Sequence, residues 1–392
     1  MDPRRNPYSP GAGTPPPILA GRDDLVQTAD IALARVKARR PAKSFIAVGL
    51  RGVGKTVVLN KVQNLADSKS YQSIYIEASE DMNFPESLAK ALRAPLLKLN
   101  RMSAGQEIAT RALRVLRGFA SAFKVSYNGF EFGVGNEQGA ADTGNISDDL
   151  PELMLAVGDS AASRDTAVAL IIDEVQYLAE NDLAALIMSI HRINQKQLPV
   201  ILFGAGLPQL RGKMGEAKSY VERLFDFPSV DALHEIDAQK AIVEPASKEG
   251  VDFDDDAVKE ILRVTAGYPY FLQEWGHAVW LKAEHSPITK SVVEASYPDA
   301  IRNLDRSFFR VRLDRMTPTE KKYMRAMAEL GPGSHRSGDI ARIYGAQVTS
   351  VAPTRGSLIS KGMIYSPSHG DTAFTVPLFD EFMRREIPEL KS

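Results

Sequence analysis

Apolar residues recur along this chain with two periods. Between positions 22 and 37 they fall at Leu25, Val26, Ala29, Ala32, Leu33 and Val36, the spacing of one helical face. Positions 44–48 are instead a short apolar run that stops at Gly49, as a buried strand entering a glycine loop would. Continuing the same reading predicts helices over 56–68, 84–123, 150–162 and 181–195, and strands over 73–76, 167–172 and 198–203. Buried strands alternating with helices argue for an α/β fold built on a doubly wound parallel sheet. From about residue 234 the strand pattern stops and helices dominate to about 330. The last sixty residues read as helix, helix and hairpin.

Two stretches break the pattern. Residues 1–17 hold six prolines and two glycines, which suit neither a helix nor a central strand and predict an extended, mobile arm. Residues 123–127 and 129–132 read as a small hairpin, followed by a glycine- and acid-rich exposed loop. The chain therefore divides into an arm (1–17), a core (18–233, with an insertion at about 124–148), a helical lid (234–315) and a C-terminal module (316–392).

The core carries two chemical motifs. Gly49-Leu50-Arg51-Gly52-Val53-Gly54-Lys55-Thr56 fits GxxxxGK[ST] in full. Glycines let backbone N–H groups curl around phosphate oxygens, and the helix opening at Lys55 adds its positive dipole end. Gly49, Gly52, Val53, Gly54 and Val57 make the phosphate cradle. Lys55 is placed for the β- and γ-phosphates and Thr56 for Mg²⁺. Downstream, Val168-Ala169-Leu170-Ile171-Ile172 carries Asp173 and Glu174 to the carboxyl end of a strand, where parallel sheets bind ligands. Asp173 is the expected second Mg²⁺ holder, and Glu174 the group that polarises the attacking water. ATP and Mg²⁺ are the implied cofactors.

This order of P-loop, apolar strand with Asp-Glu, helix and further strand resembles the AAA+ and STAND branch of P-loop ATPases. It is also similar to origin-recognition-type initiator ATPases with a C-terminal winged helix. The resemblance extends over most of residues 18–390. Leu19-Ala20-Gly21-Arg22-Asp23-Asp24-Leu25 is similar to the motif that packs near adenine in that branch, which implies a nucleotide contact for Arg22. Gly267-Tyr268-Pro269 resembles the GxP motif whose proline abuts the nucleotide. Ser219-Tyr220-Val221-Glu222-Arg223-Leu224 resembles the stretch bearing an arginine finger, which makes Arg223 the candidate and Arg211 its alternative.

Two departures from the family pattern stand out. The strand at 200–203 runs into Gly204-Ala205-Gly206-Leu207-Pro208, with no polar sensor side chain. The segment Gly267-Tyr268-Pro269-Tyr270-Phe271-Leu272 lacks the γ-phosphate-sensing arginine of initiator ATPases. Both favour a slowly hydrolysing nucleotide switch.

Charge and composition bear on partners. The whole chain has a net charge of −1, so attraction to nucleic acid must be local. Residues 301–392 hold fifteen Lys/Arg against ten Asp/Glu, and Arg342, Arg355 and Lys361 are placed for DNA phosphates. Two readings stay open: an ATPase associated with double-stranded DNA, or a STAND-like signalling switch whose winged helix regulates nucleotide access and binds a protein partner. Self-association would bring Arg223 to a neighbour's site. The basic stretch 85–124 reads as the solvated face of a helical pair. The absence of cysteine excludes disulfides and thiolate metal sites. No secretory apolar region and no membrane-length apolar run occur, so a cytoplasmic protein is expected.

Overall fold

The computed structural model describes residues 1–11, 13–100, 106–125, 135 and 137–389. The core begins with α1 (Asp23–Lys37), β1 (Ser44–Val48), α2 (Lys55–Ser68), β2 (Gln72–Glu77), α3 (Phe84–Asn100) and α4 (Gln106–Ala122). It continues with α5 (Ile146–Ala162), β3 (Val168–Asp173), α6 (Glu180–Gln195), β4 (Val200–Gly206), α7 (Leu210–Ala217), α8 (Val221–Leu224) and β5 (Phe225–Asp226). The five strands form one parallel sheet in the order β2-β3-β4-β1-β5. β4 thus separates the strand that feeds the P-loop from the strand that delivers Asp173.

Alternation along each strand serves two cores, one per face. Phe45 and Ala47 of β1 pack into one cluster with α1, α2 and the lid, while Ile46 and Val48 pack into the other with α3 to α6. Because both faces are covered, the strands read as unbroken apolar runs.

The predicted helix at 150–162 begins earlier, at Ile146. The Asn145 side chain accepts from the Ser147 N–H and caps it. Asp149, buried at 1% exposure, accepts from Thr143 N (3.2 Å), Thr143 Oγ1 (2.9 Å) and Gly144 N (2.8 Å). Part of the expected exposed loop is therefore organised by a buried carboxylate, and Ala141 is buried within it. The hairpin expected at 123–132 lies largely outside the described residues.

The lid comprises α9 (Glu235–Lys248), α10 (Asp255–Thr265), α11 (Pro269–Lys282) and α12 (Lys290–Asn303). A π-helical turn at Leu304–Phe309 and α13 (Arg310–Asp314) then lead out of it. Trp275 and Trp280 are buried in its core. Residues 1–9, part of the arm expected to be mobile, lie against this lid. Tyr8 is 2% exposed because its ring fills a space that Gly276 leaves open.

The C-terminal module contains α14 (Pro318–Glu329), β6 (Ser334–Arg336), α15 (Ser337–Tyr344), α16 (Val348–Ser360), β7 (Ile364–Tyr365), β8 (Asp371–Phe374) and α17 (Phe379–Glu386). α14 opens with a capping box in which Thr317 and Glu320 each accept the other's backbone N–H. The expected hairpin gains β6 as a third strand, in the antiparallel order β6-β8-β7. α16 starts at Val348, so Pro353 lies beyond its first turn. Pro353 and Thr349 are both exposed, which lets water satisfy the carbonyl that the proline cannot bond.

Candidate active site

Gly49 shows why the loop must begin with glycine. It follows β1, its N–H donates to Gly206 O at 3.1 Å, and an added Cβ would lie 2.0 Å from Val230 O. Gly52 and Gly54 adopt left-handed φ values of 84° and 95°. The turn they make starts α2 at Lys55. Lys55 is buried, and its Nζ donates to Gly49 O (3.0 Å) and Leu50 O (2.8 Å) across the loop. Burial pulls its pKa down, while Glu174 and Asp173 oppose that shift.

The end of β3 faces this loop. Thr56 Oγ1 donates to Asp173 Oδ2 at 2.6 Å, and Tyr75 Oη reaches the same oxygen at 3.3 Å. Asp173 Oδ1 accepts from the Glu174 N–H at 2.8 Å. Burial raises the pKa of Asp173 against the Thr56 hydrogen bond. Glu174 takes the left-handed conformation (φ 53°), uncommon for a residue with a side chain, and this turns it toward the cavity it lines.

A cavity of about 870 Å³ extends from the P-loop to the lid. Of the residues singled out from the sequence, Arg22, Gly52, Val53, Gly54, Lys55, Thr56, Val57, Glu174 and Pro269 line it together. Gly49 and Asp173 stand directly behind that lining. Arg22 donates to Val53 O at 3.2 Å and also to Asp231 O, which ties the opening motif to the P-loop. Pro269 is the first residue of α11, and Tyr270 N donates to Gly52 O at 3.2 Å. Arg223 is exposed on α8 and is not among the cavity residues. Arg211 is likewise outside, over the Phe227 ring at 6.0 Å.

Three residues that sequence reasoning passed over meet here. Arg312 of α13 lines the cavity with its guanidinium over the Phe308 ring at 3.9 Å. It donates to Phe308 O, but its buried Nε has no partner. Its pKa is lowered to about 10, first by desolvation and then by the charge of Arg51. Arg51, inside the P-loop, donates to Tyr177 Oη (2.5 Å) and to Gly362 O of the C-terminal module (3.2 Å). Neither arginine makes an ion pair among the described residues. Gln176 donates to Glu174 Oε2 and accepts from Leu207 N at 3.1 Å. An added Cβ on Gly206 would lie 2.8 Å from Gln176 Oε1. A polar side chain from the turn after β3 therefore lies at the end of β4. The only sequence signal for it was a glutamine two positions beyond Glu174.

The cations assigned to DNA phosphates are mostly engaged inside the module. Arg355 donates to Thr372 Oγ1 (2.8 Å), Ser366 Oγ (3.0 Å) and Asp371 O (2.8 Å). Lys361 pairs with Glu320 at 2.8 Å. Arg342 is exposed and pairs with Asp339 at 2.6 Å.

Sheet order, the complete P-loop and the Asp-Glu strand end together give the core the P-loop NTPase fold. Residues 18–203 match the AAA ATPase domain, and residues 306–383 match a domain of unknown function, DUF8462. No curated protein matches the chain. Among solved structures it is similar to the Walker-type ATPase of Pyrococcus abyssi, at 14% identity and TM-score 0.60, over 93% of this chain and 96% of that one. That likeness is one of fold. A structure of the Aeropyrum pernix Orc1 protein in complex with DNA matches at 16% identity and TM-score 0.47, over 95% and 94%. The Thermotoga maritima RuvB Holliday junction branch migration motor matches at 14% and 0.45, over 90% and 92%. No helix among the described residues is long and apolar enough to cross a membrane.

Proposed function

We propose that this chain is a slowly hydrolysing ATP switch whose C-terminal module, a winged helix, is held on the P-loop and released by the terminal phosphate. The observation that carries this reading is Arg51. One guanidinium belongs to the phosphate-binding loop and also grips Gly362, while its backbone N–H donates to Thr375 O at 3.3 Å. A γ-phosphate competing for Arg51 would weaken the hold on the module.

The residues present fit nucleotide and metal. Thr56 and Asp173 offer a hydroxyl and a carboxylate oxygen 2.6 Å apart, the hard donors that suit Mg²⁺ shared with phosphates. Bound there, Mg²⁺ would supply charge neutralisation to the phosphates. Lys55 would exchange its two carbonyl acceptors for β- and γ-phosphate oxygens. Glu174, held by Gln176, would orient water and take up its proton. Arg312, a cation with an unpartnered Nε on this cavity, fits the part in charge stabilisation that the sequence offered to Arg223.

Hydrogen exchange over residues 362–375, measured with ADP and with a non-hydrolysable ATP analogue, tests the switch. Faster exchange with the ATP analogue is expected, and equal protection would sink the reading.

DNA association is a second reading, supported by the basic excess in residues 301–392. Mass measurement in solution with ADP, with ATP analogue and with duplex DNA added separates it from a protein-directed switch and reports self-association. No DNA complex at low salt would remove it.

A further inference from the structure

The described residues of 1–17 are tied down at one end and laid over the cavity at the other. Asp2 O accepts from Trp280 Nε1 at 3.0 Å, and Asn6 Nδ2 donates to His277 O at 3.2 Å. Arg5 pairs with Glu249 at 3.0 Å. Tyr8 is the deepest anchor: its ring is buried against Gly276, where an added Cβ would lie 2.6 Å from Tyr8 Cδ1, and its hydroxyl donates to Ile242 O. Ser9 N, bonded to Gln273 Oε1 at 3.3 Å, is the last of these ties to the lid. Arg22 fastens the far end to Val53 O.

Between the two ends, Ser9, Pro10, Gly11, Gly13, Thr14 and Pro16 line the same cavity as Lys55, Thr56 and Glu174. Gly13, at φ 70°, passes close enough to the P-loop that a Cβ there would touch Thr56 Cγ2 at 3.6 Å. Among the described residues, the structure gives the backbone N–H groups of Gly13 and Thr14 no hydrogen-bond partner. Donors without internal partners beside the P-loop suit an anion. Prolines at 10, 15, 16 and 17 stiffen the span without adding donors.

We propose that this segment is a strap over the phosphate side of the nucleotide, plugged into the lid by Tyr8, and that nucleotide leaves only when the strap lifts. The proposal rests on the cavity being the nucleotide site. It assigns Gly13 and Thr14 as contacts of a nucleoside di- or triphosphate. Because the plug sits on α9 and α11, lid movement and strap movement are one event.

The test uses the full chain and a fluorescent ADP analogue. Tyr8→Ala and Gly276→Val each evict the ring from a different side. Both should raise the ADP-analogue dissociation rate at least tenfold, in protein whose circular dichroism shows it folded. The chain has no cysteine, so Thr14→Cys alone gives a single reporter thiol that needs no disruption of the plug. Saturating ADP should slow its alkylation at least tenfold, and adding Lys55→Ala should abolish that protection. Wild-type dissociation rates in both plug variants, or alkylation at Thr14→Cys indifferent to ADP that demonstrably binds, would overturn the strap. Absence of ADP binding by the wild type would overturn the nucleotide-site reading itself, and the strap with it.

Discussion

Replacing Arg312 with methionine separates the cost of its charge from the use of that charge. Desolvation, reinforced by Arg51, depresses its pKa from the ordinary guanidinium value to about 10. At about 1.4 kcal/mol per unit, keeping it protonated costs the fold about 3 kcal/mol. The sign follows from a cation whose folded pKa lies below its unfolded one: the cost is full at neutral pH and is relieved only as pH rises above about 10. Stacking on Phe308 returns about 1 kcal/mol. Arg312→Met keeps most of the stem, so the nucleotide-free protein should be more stable by about 1–2 kcal/mol and melt at a higher temperature. The opposite sign is expected for ATP. A hydrogen bond to a charged group contributes about 1.5–3 kcal/mol, which is roughly a ten- to 150-fold loss of affinity for an ATP analogue. ADP, lacking the terminal phosphate, should bind almost unchanged. Calorimetry with both nucleotides and a thermal melt on the same preparation decide the matter. A lower melting temperature with equal loss of ATP and ADP affinity would show Arg312 to be a packing residue only.

Further outcomes follow from the same geometry. Lys55→Ala should bind neither nucleotide in calorimetry, since the cation on the phosphate loop is gone; near wild-type affinity would refute the P-loop assignment. Glu174→Gln should retain ATP and lose turnover in a phosphate-release assay, because an amide cannot take the proton from water. If Arg223 acts across a subunit boundary, Arg223→Ala should slow hydrolysis only at protein concentrations where assemblies form; a deficit independent of concentration would exclude that. Glu320, which burial alone would push up, is held at about 2 by bonds from Lys361, Ser357 and the Thr317 N–H. Its stabilising contribution is full above its usual 4.5 and is lost as pH falls toward 2, so Glu320→Gln should flatten the acid limb of the stability curve between those values.

The site was legible in the sequence where its chemistry is local. A glycine loop between an apolar strand and a helix, and an Asp-Glu pair at a strand end, are set by a few neighbouring residues. The structure brings Lys55, Thr56 and Glu174 to one cavity with Asp173 behind them. The parallel sheet was legible for the same reason, since strands buried on both faces leave unbroken apolar runs. Arg312 was not legible. It sits in a short helix far along the chain, and only tertiary packing brings it to the cavity, over the Phe308 ring that stacks on Tyr270.

Sequence alone determined most of the core elements, the parallel sense of their sheet and the spacing of the candidate phosphate-binding residues, because hydrophobic period and turn geometry act over a few residues. Tertiary structure decided what surrounds that chemistry. Arg51 meets Gly362 across 311 positions, and Tyr8 meets Ile242 across 234. A proline-rich stretch reads as mobile until a buried glycine, Gly276, offers its tyrosine a place. Arg355 and Lys361 read as free cations until the strands and helix caps of their own module take up their donors. Such pairings depend on which surfaces come to face each other, and composition and periodicity do not encode that locally.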